Sequence, residues 1–110
     1  MKYTVLGGGS WATAIVKILS ENLLEITWYM RNDLAISHIK KYKHNPNYLS
    51  SVELRTDKIH LTSNINEAVE WADYVIFVIP SAFLVTELSK LTVPLKDKVV
   101  FSAIKGIVPE

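Results

Sequence analysis

The run Tyr3-Thr4-Val5-Leu6-Gly7-Gly8-Gly9-Ser10-Trp11-Ala12-Thr13-Ala14 constrains this chain more than any other segment. A β-branched apolar stretch passes through three glycines straight into a helical pattern. Few local structures accept that order. It reads as G-x-G-x-x-A, the phosphate-binding turn of a dinucleotide-binding βαβ unit. Gly7 lets the chain leave the strand sharply, where a side chain would oppose the backbone angles. Gly9 leaves room for a pyrophosphate to approach the backbone, and Ala12 is small enough for the helix to lie close on the sheet. The amides and positive dipole end of that helix would hold the diphosphate, so Gly7, Gly8 and Gly9 are candidate cofactor contacts. The plain alternative is a glycine-rich strand–helix corner with no ligand.

Downstream, strand and helix patterns alternate. The spacing predicts a strand at Tyr3–Leu6 and a helix over residues 10–22, with Trp11, Ala14, Ile15, Ile18 and Leu19 on its apolar face. A second strand is expected at 24–30. A short helix follows, capped by Asn32 or Asp33, with Lys40, Lys41 and Lys43 at the end where the dipole favours cations. From 42 to 58 the periodicity fails around Asn45-Pro46-Asn47, which predicts a long surface loop. Residues 59–61 read as a short strand. Asn64 with Glu67 three positions on resembles a capping box. Residues 74–79 and 98–103 read as buried strands, separated by a helix carrying Phe83, Leu84, Glu87, Leu88 and Leu91. Five strands alternating with helices imply an α/β fold, a Rossmann-type doubly wound parallel sheet in the order 3-2-1-4-5. The chain stops at Gly106-Ile107-Val108-Pro109-Glu110, directly after the fifth strand, so residues 1–110 are expected to form one dinucleotide-binding domain truncated before its last strand.

Three further residues bear on chemistry. Arg31 stands at the end of the second strand, where NAD-specific folds carry an acid for the ribose hydroxyls. A guanidinium there would attract a 2′-phosphate or stack on adenine, which favours NADP(H). Asp33 lies two positions on and could still reach a ribose, and a solvated strand-end charge is the plain reading of Arg31. Phe83, after the fourth strand, walls the nicotinamide side of the cleft or packs as a first-turn core residue. Lys105, after the fifth strand and backed by Gly106, sits where it could bind a phosphate or polarise a carbonyl. An ordinary surface lysine is the alternative.

Other function classes find little support. A net charge of +1 gives no reason to expect nucleic acid or an anionic membrane. With no cysteine there is no disulfide scaffold or thiolate zinc site, and His38, His44 and His60 lack ligand spacing. No apolar run approaches the roughly 20 residues of a membrane helix, nor is there a secretory signal. A cytoplasmic protein is expected.

Together these residues resemble the N-terminal part of bacterial-type NAD(P)-dependent glycerol-3-phosphate dehydrogenase. The match rests on Val5-Leu6-Gly7-Gly8-Gly9-Ser10-Trp11-Ala12-Thr13-Ala14, Trp28-Tyr29-Met30-Arg31, Asn45-Pro46-Asn47-Tyr48-Leu49, Ile79-Pro80-Ser81-Ala82-Phe83 and Ser102-Ala103-Ile104-Lys105-Gly106. Ala12 replaces the family's usual third glycine. The resemblance implies hydride transfer between NADPH or NADH and dihydroxyacetone phosphate, giving sn-glycerol 3-phosphate for phospholipid synthesis. It implies that Ser10, Trp11 and Arg31 bind the dinucleotide, that Phe83 flanks the nicotinamide, and that Lys105 touches cofactor and substrate. The family's principal catalytic lysine belongs to a second, helical domain, so no catalytic residue is expected within these 110. Other dehydrogenases of the same plan, such as a ketopantoate reductase or a 6-phosphogluconate-dehydrogenase relative, and a non-catalytic dinucleotide sensor are the alternatives. An apolar sheet edge left by the absent last strand would favour a homodimer or strand exchange.

Overall fold

The computed structural model describes residues 2–23, 25–46 and 52–103. Along the chain run β1 (Tyr3–Leu6), α1 (Ser10–Asn22), β2 (Ile26–Tyr29), α2 (Asp33–Tyr42), a 3-10 turn (Thr56–Lys58), β3 (Ile59–Thr62), α3 (Ile65–Trp71), β4 (Tyr74–Phe77), α4 (Ser81–Ser89) and β5 (Val99–Ser102). All strands are parallel in the order β3-β2-β1-β4-β5, as the alternating pattern implies.

Side chains alternate across the pleat, so each central strand feeds two cores. Val5 and Trp28 pack with Ala12 and Val16 of α1 and Ala35, Ile36 and Ile39 of α2 on one face. Leu6, Tyr29 and Phe77 pack with Ile65, Ala68 and Val69 of α3 on the other. Burying both faces needs the near-continuous apolar strands seen in β1, β2 and β4.

Caps set the helix starts. The Asn32 side chain accepts from the amides of Leu34 and Ala35 at α2, and Asn64 does the same for Asn66 and Glu67 at α3. The Glu67 carboxylate does not return to the Asn64 amide as a capping box would. Thr62 Oγ1 takes that amide instead and donates to Glu67, which also meets His60 at 2.8 Å.

Four expectations need correcting. Strand β2 ends at Tyr29 and β4 at Phe77, short of the expected 30 and 79, because the chain turns off the ladder there at the cleft; Leu24 lies outside the described residues. Strand β5 is not fully buried: Val99, Val100 and Phe101 are 43–48% exposed, since it is an edge strand of the described sheet. Helix α1 turns Ala12, Thr13, Val16 and Ser20 to the sheet, leaving Trp11 and Ile18 more than half exposed. Small residues let its axis approach closely and push the bulky ones to the flank. The 42–58 segment is no simple surface loop either. Asn45 and Leu54 are each 1% exposed, Asn45 having found hydrogen-bond partners in the interior.

Candidate functional site

Strand registry places Leu6, Tyr29, Thr62, Phe77 and Ser102 in one row, so all five strands end flush. Above that row a cleft opens over the end of β1, where the crossovers diverge to opposite faces. It is lined by the glycine turn with Met30 and Asn45, and by Arg31, Ile79, Pro80, Phe83 and Glu87. Ligands of open α/β sheets gather at this switch point.

Gly7 has φ +132°, and a Cβ on it would lie 2.3 Å from the Val78 carbonyl oxygen. No other residue fits there. At Gly9 a Cβ would meet nothing within 4 Å. This glycine keeps space clear on the ligand side rather than relieving a contact.

Each carbonyl of the turn is tied down. The indole Nε1 of buried Trp28 donates to Gly7 O. Asn45 Nδ2 donates to Gly8 O at 3.2 Å and to Thr13 Oγ1 at 2.9 Å. Gly9 O accepts from Thr13 N at 2.9 Å and from Thr13 Oγ1 at 2.8 Å. Helix α1 begins here with no side-chain cap and no acid in its first turn, unlike α2 and α3. The positive end of its dipole is therefore left for an anion.

The opposite wall has another character. The Arg31 guanidinium lies over the Phe83 ring at 4.5 Å. One turn along α4, the nearly buried Glu87 accepts a hydrogen bond from Tyr29 Oη and pairs with Lys90 at 3.0 Å. Burial disfavours the Glu87 charge, but the bonds from Tyr29 and Lys90 and the cations Lys90 and Arg31 prevail, holding its carboxyl below the usual range. Burial, then the Glu87 hydrogen bond and charge, push the Tyr29 phenol upward. Neither group is poised to exchange a proton near neutrality. This wall is built to bind, with a cation and an aromatic face.

Gly7, Gly8, Gly9, Arg31 and Phe83 thus come together around one cleft. Phe83 is 43% exposed there and is not a core residue. Ser10 and Trp11, both exposed, follow the turn but do not line the cleft. Lys105 lies outside the described residues, as does Asn47-Tyr48-Leu49 of the third motif. Trp28, Thr13, Asn45 and Glu87 were not singled out for the site from sequence. Asn45 had a signal in its Asn-Pro-Asn motif, and Thr13 in being polar at a sheet-facing helical position. Among the described residues no group of His, Asp or Glu could hold a metal ion, and no helix is long and apolar enough to cross a membrane.

The chain is similar in sequence and fold to known proteins. A family model described as NAD-dependent glycerol-3-phosphate dehydrogenase N-terminus matches residues 2–110. The glycerol-3-phosphate dehydrogenase [NAD(P)+] of Bacillus subtilis is 38% identical over 99% of this chain and 32% of its own length. That of Nitratidesulfovibrio vulgaris is 35% identical over 97% and 32%. The solved glycerol-3-phosphate dehydrogenase of Saccharomyces cerevisiae superposes with a TM-score of 0.83 at 25% identity, covering 96% of this chain and 34% of that one. The chain spans about a third of the length of the curated relatives it matches.

Proposed function

This chain belongs to the NAD-dependent glycerol-3-phosphate dehydrogenase family, whose N-terminal part it matches, and from that premise we propose that it supplies the cofactor-binding half of such an enzyme. The reaction is reversible reduction of dihydroxyacetone phosphate to sn-glycerol 3-phosphate in the cytoplasm. When bound, NADPH or NADH would supply the hydride for the carbonyl carbon. This chain's own residues bind and orient. The amides of the glycine turn and the start of α1 would receive the diphosphate, and Ser10 and Trp11 are assigned to it from the family motif alone. Arg31 receives the adenosine end and attracts a 2′-phosphate where there is one. The resemblance would set Phe83 at the nicotinamide, but its contact with Arg31 favours the adenosine end. Lys105 is assigned to cofactor and substrate from the family motif alone. The half-exposed apolar residues of β5 support a homodimer.

The observation that carries this reading is the glycine turn, with every carbonyl anchored in the protein beside an uncapped helix start. Calorimetric titration of the full-length protein with NADPH and NADH tests it, and saturable binding of at least one is expected. Silence from both would end it. Turnover of dihydroxyacetone phosphate, with none of ketopantoate, would fix the substrate.

A further inference from the structure

We propose that Asn45 is a positioning residue for the cofactor's diphosphate, holding the middle peptide of the glycine turn so that its amide faces the ligand. The inference rests on the cofactor reading above. A trans peptide is planar, with its C=O and N–H pointing in opposite directions. Fixing one end therefore aims the other. Trp28 fixes Gly7 O and so aims the Gly8 amide. Asn45 fixes Gly8 O and so aims the Gly9 amide. Thr13 fixes Gly9 O and so aims the Ser10 amide.

These planes need holding, because glycine lacks the Cβ that would otherwise restrict rotation. A flipped Gly8–Gly9 peptide would present an oxygen to the diphosphate and turn attraction into repulsion. The bond from Asn45 to Thr13 Oγ1 at 2.9 Å extends its hold, since that hydroxyl in turn donates to Gly9 O at 2.8 Å. One carboxamide thus governs two of the three planes. It reaches them from 32 and 37 residues along the chain while itself 1% exposed.

The test measures affinity of the full-length protein for ADP, whose diphosphate seats on the turn, and for 2′-AMP, whose phosphate sits at the Arg31 end. Asn45→Ala should weaken ADP about tenfold and leave 2′-AMP within about twofold. Unchanged ADP affinity, or an equal loss for both ligands, overturns the proposal. If Asn45→Ala fails to fold, Thr13 decides: Thr13→Val should weaken ADP several-fold, while Thr13→Ser, which keeps the hydroxyl, should not. Identical behaviour of those two variants also overturns it. Failure of the unaltered protein to bind ADP, NADH or NADPH is a separate result. That would sink the cofactor reading and this inference with it.

Discussion

Gly7 and Gly9 stand two residues apart and do opposite jobs. Replacing Gly7 by alanine forces a Cβ against the Val78 carbonyl at a φ that L-residues avoid. A loss of about 2–4 kcal/mol is expected, seen as a lower urea midpoint. A Cβ at Gly9 has nothing within 4 Å, so with Gly9→Val the fold should persist by circular dichroism while both cofactors lose their place. Arg31→Ala should cost NADPH about 1–3 kcal/mol more than NADH, read as a change in the ratio of their dissociation constants. Equal losses would show that Arg31 does not read the 2′-phosphate. The glycine positions were legible because their demands are local: a turn angle and an empty space, set within a few residues. The Trp28, Asn45 and Thr13 hydrogen bonds were not. Trp28 and Asn45 reach partners 21 to 37 residues away, and nothing in an apolar strand or an Asn-Pro turn names the carbonyl each will meet.

Elements show the same division. Asparagine caps for α2 and α3 were readable, since a cap acts within three residues. The inward face of α1 was legible only in part: Ile15 and Leu19 pack against the core as expected, but the sheet selects the small residues Ala12, Thr13 and Ser20 over the bulkier Trp11 and Ile18. Helix α2 ends on Lys43 in the left-handed region, at φ 66°. Lys43→Gly should relieve that conformation and stabilise by about 0.5–1 kcal/mol, raising the thermal midpoint by a few degrees. Helix α4 is tied to β2 through Glu87 and Tyr29 rather than by hydrocarbon alone. Because the folded Glu87 carboxyl lies below its ordinary range, its contribution to stability is complete above that range. It is lost as pH falls through the folded value. Glu87→Gln should therefore flatten the acid side of the stability–pH profile below about pH 5 and lower stability at neutrality. An unchanged acid limb would show that the buried carboxylate adds no pH dependence.

For the whole molecule, fold class followed from alternation, because a right-handed crossover leaves few topologies open, and strand order from the dinucleotide-binding plan that the glycine turn implies. Exposure of β5 did not follow. An apolar strand pattern declares pairing but says nothing of what lies over its faces. A ligand that binds only the native state adds stability by mass action, so NADPH at a hundred times its dissociation constant should contribute about 2.7 kcal/mol. A thermal midpoint unmoved by NADPH and NADH would argue against binding. The flush ending of all five strands carries a practical consequence for engineering. It splits the molecule into a working rim and a spare one, with the Lys96–Asp97 turn on the spare side, one residue before β5 begins. A fluorescent tag or surface tether spliced between those two residues would hang away from the guest, leaving its chamber undisturbed.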